Sequence, residues 1–476
     1  MTIEYAQVRD LSVHRIREGY ETREFTPEEI AAAHLDQIGS GDPCNAFCLV
    51  DPDETMRMAA ESTARWNAGK PLGNLDGVPV TLKDALLTKG WPMLKGSWLN
   101  DADGPWTEDA PSVARLREAG AVFLGKTTTP EFAWKGVTDS DRTGITRNPW
   151  DLERTSGGSS GGAAAAAAQG IGAVAIGSDG GGSIRIPASF CGVVGLKATF
   201  ARVPAYPASP FGQLSHVGPL ARRAADIAEV MDVITGYDPR DPDAAWDARS
   251  DFRAGLEHIL PGLRIGYSAD LGFADVQDEV SAATKEAVLV LGEVLGASVE
   301  RVEPLFDDPI DAFHILWFSG CAKVLAGYGD RVGREAIDPG LLEVSDQGAE
   351  LSASDYLDAL AVRGDLRRRM AEYFLDHDLL VTPTMPRTAF EAGQEVPAGS
   401  GLKRWTQWTP FTYPFNMTGN PAITVPCGTD SAGLPIGLQV IGRHGADELL
   451  VAVAAQFQKA VGLPGLATPA PSAAAA

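Results

Sequence analysis

The stretches TSGGSSGGAAAAAAQG (residues 155–170) and GSDGGGSIRIPASFCGVVGL (177–196) decide how this chain is read. Two glycine-rich serine loops follow one another, joined by an alanine run of helical character and a short apolar segment of strand character. Glycines in such number can be tight turns or a flexible hairpin. Flexible glycine runs normally sit on surfaces, however, whereas this pair is embedded between apolar segments. Acyl transfer supplies a chemical reason for them, because a backbone free of side chains lets several N–H groups converge on an oxyanion as it develops. Gly180, Gly181, Gly182 and Ser183 offer such donors beside a hydroxyl.

A serine hydroxyl is a weak nucleophile until a neighbouring base takes its proton. Of the seven histidines, most lie in helical or charged surface stretches (His14, His34, His258, His314, His377, His444). His216, in SHVGP (215–219), is the one read as a loop residue near the core, with structure as its expected role. A lysine can serve as base if a desolvated site lowers its pKa enough to leave it neutral. Lys83 ends the apolar run DGVPVTLK (76–83), so its stem enters the core. Taken alone, an ordinary strand-end lysine is the better description of it, since most lysines stay solvated.

Outward from these loops, short apolar runs alternate with amphipathic ones: a strand at 78–82, a helix at 112–119, a strand at 121–124, a helix at 163–168 and a strand at 173–176. That alternation predicts an α/β fold. Upstream, Thr26-Pro27-Glu28-Glu29 combines an N-cap, a proline at the first helical position and a capping-box glutamate, predicting a helix through Ile30 to Ile38. Downstream, a helix is expected at 225–234, a proline- and aspartate-rich loop at 237–243, and a strand at 263–267. Helices follow near 277–295, 309–326 and 354–374, then strands at 379–381, 422–425 and 437–441. The alanine- and proline-rich tail from Ala467 is expected to fray.

Composition narrows the function. The chain of 476 residues is 44% hydrophobic and 22% charged, ordinary for a globular protein with a large core. Its net charge of -23 weighs against nucleic acid and an anionic membrane face as partners. Neither a signal-like N-terminus nor an apolar stretch of bilayer length is present, so a cytoplasmic protein is expected. Five cysteines, the only close pair spaced C-x-x-x-C with no histidine cluster beside it, predict neither disulfides nor a zinc site.

Three motif matches fail on context. GAVFLGKT (120–127) fits the P-loop pattern, but its middle is a strand, and Pro130 precedes any following helix. GIGAVA (170–175) fits a dinucleotide fingerprint, yet it leaves a helix and enters a strand, the reverse of the required order. GGSSG (157–161) fits a nucleophile elbow, but a polar loop precedes it where a buried strand is needed.

The series GVPVTLKD, GKTTTPEFAWKGVT, RNPWD, GGSSGG, GSDGGGSIRIPAS, FCGVVGLK, GPLAR, FNMTGNPAITVP and GLPIGLQVIG resembles the amidase signature family, block by block and in family order through most of the chain. The resemblance implies one domain over 1–476: a mixed central β-sheet covered by helices on both faces, with a signature core near 70–220 and a variable substrate-pocket lobe near 240–415. It implies an amidase in which Ser183 attacks the carbonyl, Ser159, after a cis peptide bond, relays the proton, and neutral Lys83 receives it. The backbone N–H groups of Gly180, Gly181, Gly182 and Ser183 would form the oxyanion hole, with Ser160 behind them. Asp179 and Arg185 are expected to pair as a buried brace, and Cys191 to pack. No metal or organic cofactor is required.

The expected substrate is a small neutral amide with an apolar or aryl group, with carbamates and esters open as well, because Arg185 is read as structural. Phe132, Trp134, Trp317 and Cys321 are the candidate pocket residues, within a wider aromatic set of Phe318, Trp405, Trp408, Phe411, Tyr413 and Phe415 that core packing would also explain. A homodimer stays open. Two alternatives remain. One is the glutaminase-like component of a tRNA-dependent amidotransferase, against which segment 202–211 (RVPAYPASPF) weighs weakly. The other is a catalytically inactive binding protein on the same scaffold.

Overall fold

The computed structural model describes residues 3–244, 251–256, 262–329, 333 and 336–469. Thr26 caps the helix Pro27–Gly39 as its sequence requires: Thr26 Oγ1 accepts from Glu29 N at 3.2 Å, and Glu29 Oε2 accepts from Thr26 N at 2.8 Å. Such a cap is worth about 1 kcal/mol.

Thirteen strands form among the described residues: β1 (Phe47–Leu49), β2 (Pro79–Lys83), β3 (Val122–Thr127), β4 (Asp139–Ser140), β5 (Gly144–Ile145), β6 (Val174–Asp179), β7 (Val194–Lys197), β8 (His216–Ala221), β9 (Arg264–Tyr267), β10 (Ser298–Arg301), β11 (Leu379–Pro383), β12 (Ala422–Thr429) and β13 (Pro435–Gly442). Apart from the small β4–β5 ribbon they join one sheet in the order β1-β3-β2-β6-β8-β7-β12-β13-β11-β9-β10. The pairs β3–β2, β2–β6, β11–β9 and β9–β10 are parallel and the rest antiparallel, so the sheet is mixed, as expected. Side chains alternate between its faces. Leu379 and Val381 enter one core cluster with Leu450 and Ile227, whereas Leu380 enters a second with Phe313, Leu341 and Leu366. Helices therefore cover both faces, and the inner strands read as continuous apolar runs because neither face meets water.

The helix Gly161–Gln169 is buried along its whole length. Its six alanines suit that place, because an all-apolar helix of small residues can lie close against neighbours on every side. At Gly162 even a Cβ would come within 2.5 Å of the Thr128 backbone nitrogen.

Six strands (β1, β4, β5, β7, β8 and β10) escaped the sequence reading, as did several helices, Pro52–Asn67, Pro339–Glu350 and Asp447–Val461 among them. β7 lies in a block read only as a family signature. β8 contains Pro219 and sits inside the sheet, where a proline normally argues against a strand. β7 pairs with β8 only through Ala221 and Leu220, leaving Pro219 beyond its reach. The helix Pro339–Glu350 announces itself by Asp338, which accepts from Gly340 N and Leu341 N, and by Pro339 at the first position. The rejected P-loop match is β3, and the rejected dinucleotide match joins a helix to β6. Residues 470–476 of the tail, and His258, lie outside the described residues.

Candidate active site

Lys83 and Asp179 end the neighbouring parallel strands β2 and β6, so the chain turns out of the sheet twice at one place, the carboxyl ends at which open α/β sheets collect ligands. The loop leading into the helix Gly161–Gln169 meets them there, held to the second serine loop by a bond from Ser160 N to Ser183 O at 3.1 Å.

Lys83 has no exposed surface. Its Nζ lies 2.7 Å from Ser159 Oγ and 3.0 Å from both Ser160 Oγ and Ser178 Oγ. No carboxylate pairs with it among the described residues. Burial pushes its pKa down to about 7, with the charge of Asp179 opposing the shift. Three hydroxyls surround an amine that is thus poised between charged and neutral near physiological pH. The peptide bond between Gly158 and Ser159 is cis.

In the second loop Asp179 acts as the organiser. Its Oδ1 accepts from Gly182 N at 2.8 Å and its Oδ2 from Ile184 N at 3.1 Å. Arg185 grips both of its oxygens at 3.0 Å, and Arg185 in turn donates to Asn416 Oδ1 at 2.6 Å and Gln439 Oε1 at 2.8 Å. Burial alone would raise the Asp179 pKa, but the Arg185 guanidinium and the Asn416 amide hold it below the ordinary carboxylate range. Gly182, at φ +131, takes a conformation that glycine alone adopts readily, and a Cβ there would meet Thr412 Oγ1 at 2.5 Å. Because the Gly182 N–H is committed to Asp179, three of the four expected oxyanion donors remain: Gly180, Gly181 and Ser183, whose N–H groups have no acceptor among the described residues.

A cavity of about 240 Å³ opens over these groups. Ser159, Ser178, Gly180 and Ser183 form its floor, and Phe132, Phe211, Trp317 and Tyr328 are among its walls. Trp317 stacks on Phe211 with ring centroids 4.0 Å apart. Phe132 and Trp317 therefore lie where a pocket residue should. Trp134 and Cys321 do not: both are buried and absent from the lining, Trp134 behind Trp317, whose Nε1 donates to its carbonyl at 3.1 Å. Trp405, Trp408, Phe411, Tyr413 and Phe415 are core as well.

His216 is not a loop residue but the first of β8. Its Nδ1 faces two carbonyls, Leu214 O at 2.9 Å and Asp179 O at 3.2 Å, and its Nε2 lies 3.4 Å from Lys197 Nζ. Burial, and the Lys197 charge after it, keep His216 neutral well below the usual histidine range. It steadies the end of β6 and touches neither serine loop's hydroxyls. Sequence reasoning missed Ser178, Lys95 and the wall 204–211. Ser178 stands inside the quoted GSDGGGS motif and was within reach; the irregular wall carries no periodic signal.

A large mixed α/β sheet with an apolar chamber over two glycine-rich serine loops and a buried lysine defines a class of hydrolases. The chain belongs to the amidase family, whose profile matches residues 29–451. It is 37% identical over 454 residues to an acylamidase of Rhodococcus erythropolis, covering 94% of this chain and 95% of that one. It is 38% identical over 474 residues to a glutamyl-tRNA(Gln) amidotransferase component of Moorella thermoacetica, covering 94% and 96%. Among solved structures, a bacterial aryl acylamidase of the amidase signature family superposes with a TM-score of 0.88 at 32% identity, over 95% of this chain and 97% of that one. The protein is an amide hydrolase by family. Among the described residues no helix is long and apolar enough to cross a membrane.

Proposed function

We propose that the protein hydrolyses a carboxylic amide through an acyl-enzyme on Ser183, with Ser159 as proton relay and Lys83 as base. The observation that carries this reading is the environment of Lys83: a wholly buried amine, unpaired by any carboxylate among the described residues, 2.7 Å from the hydroxyl of a serine that lines the same cavity as Ser183. A lysine held only for structure would gain from a carboxylate partner; one that must shed its charge is better surrounded by hydroxyls.

In this mechanism Ser159 accepts the proton of Ser183 Oγ as it passes its own to neutral Lys83, and Ser183 adds to the amide carbonyl. The N–H groups of Gly180, Gly181 and Ser183 receive the oxyanion. The proton returns through Ser159 to the departing amine, and water hydrolyses the ester by the same relay. The apolar walls suit an aryl or alkyl group on the acyl or amine side, in keeping with the acylamidase relatives. Action in the cytoplasm, with the signature core at 70–220 and the lobe at 240–415 dividing chemistry from specificity, completes the proposal.

The test is mass spectrometry after treatment with a fluorophosphonate probe. Label on Ser183 that vanishes in Ser183→Ala and in Lys83→Ala is the expected result; an unlabelled wild type, or label elsewhere, overturns the assignment. The amidotransferase relatives favour a second reading, an amide-cleaving component that works within a complex. Turnover of simple amides by the purified chain alone separates the two.

A further inference from the structure

Among the described residues, the lining of the cavity contains one charged side chain, Lys95. In a protein of net charge -23 the chamber over the nucleophile is thus neutral except for a single cation. No acceptor pairs with Lys95 Nζ among the described residues. The nearby carboxylate, Asp84, is already taken: its Oδ1 lies 3.2 Å from Lys126 Nζ and 3.1 Å from Leu94 N. Burial lowers the Lys95 pKa and Lys126 adds to this, while Asp84 opposes it. A partly buried ammonium without a partner is unfavourable unless something else meets it.

The backbone reinforces the point. Lys95 is held at φ +53, a left-handed conformation that disfavours any residue with a Cβ. It is fixed there by bonds from Lys95 N to Asp84 O at 3.1 Å and from Phe132 N to Lys95 O at 2.8 Å. Phe132 and Ala133, at φ +49 and +59, share both the conformation and the cavity. Three strained residues line one chamber, the place where such strain is commonly retained for function.

We propose that Lys95 reads a carboxylate on the substrate, so that the amide cleaved here couples an apolar or aryl body to an anionic group. The assignment rests on Ser183 as nucleophile and replaces the neutral substrate that Arg185 alone suggested. Arg185 is committed to Asp179, and the chamber takes its positive charge from the strand-β2 side instead.

The experiment compares kcat/KM for two matched pairs: 4-acetamidobenzoate against acetanilide, with the carboxylate on the amine side, and glutaryl-p-nitroanilide against pentanoyl-p-nitroanilide, with it on the acyl side. Wild type, Lys95→Met, Lys95→Gln and Lys95→Arg are measured, each first checked for fluorophosphonate labelling of Ser183. The expected result is that wild type prefers the charged member of at least one pair. In Lys95→Met and Lys95→Gln that preference falls about 10- to 100-fold, the range of one charge-assisted bond, mainly through KM, while Lys95→Arg keeps most of it. If Ser183 is labelled but wild type favours the neutral member of both pairs, or the preference survives in Lys95→Met and Lys95→Gln, the Lys95 assignment is overturned and the nucleophile stands. If wild-type Ser183 takes no label, the nucleophile reading falls and this assignment falls with it.

Discussion

Lys83 and Lys126 are near twins in position. They stand at the ends of the parallel neighbours β2 and β3, with Lys83 beside Thr127 and Leu82 beside Lys126, and neither has exposed surface. Their partners differ. Lys126 has Asp84 at 3.2 Å and the carbonyls of Pro92 at 2.8 Å and Leu86 at 3.1 Å. Lys83 has three serine hydroxyls. Burial lowers both pKa values, but at Lys126 the adjacent carboxylate pulls against it, whereas at Lys83 the opposing charge is Asp179, whose carboxylate Arg185 already neutralises. Equal burial thus yields a structural cation in one place and a titratable amine in the other. The neighbouring charge, more than the depth, distinguishes the brace at Lys126 from the base proposed at Lys83.

Removing each amine while keeping its stem should separate the two roles. Lys83→Met is expected to lower kcat/KM by about 10³- to 10⁴-fold, with a melting temperature equal to or above wild type, since no buried partner is left charged. Steady-state kinetics beside a thermal melt checks both; a folded variant that retains activity removes Lys83 from the mechanism. Lys126→Met should do the reverse. It strands the Asp84 carboxylate, costing about 3–5 kcal/mol in a denaturant titration, while the protein that remains folded keeps its chemistry.

The pH profile tests the electrostatics directly. Lys83 must be neutral to accept a proton, so kcat/KM should rise about tenfold per pH unit below about 7 and level off above it. The same limb should persist in Lys126→Met. A flat profile from pH 5 to 8 would mean that another group is the base.

A smaller effect extends the comparison to an acid far from the site. Asp226 is buried, accepts a bond from Val13 N at 2.8 Å, and has its pKa raised to about 7 by burial, with Glu229 and Asp10 adding to the shift against the Val13 and Arg223 contributions. Protonation is therefore favoured by folding. Its stabilisation is complete below the unfolded value near 4 and is lost as pH rises through about 7. Asp226→Asn should be more stable than wild type by about 2 kcal/mol at pH 8, with the difference shrinking toward pH 4 and activity unchanged. Urea titrations at the two pH values measure it.

Much of the fold could be read from local pattern. The capped helix at Pro27, the alanine helix and the strands around Lys83 and before Asp179 follow from periodicity and cap chemistry, and so did the rejection of three motif matches. β8 was hidden because Pro219 contradicts a central strand until the short reach of β7 is known. In the site, Phe132 and Trp317 could be nominated as aromatic, but nothing in composition separates them from Trp134 or Trp405; only packing shows which rings face a void.

By itself, then, the amino-acid sequence determined the sheet-and-helix alternation, the two serine loops and the family, because these depend on residues close together in the chain. The tertiary structure alone decided that Lys83 meets hydroxyls while Lys126 meets a carboxylate, that Asp179 claims the Gly182 N–H, and that Lys95 is the one charge lining the chamber over Ser183 among the described residues. Each of these depends on which distant groups share a low-dielectric space, and the pKa and pairing of a buried group follow from that company, which no local pattern records.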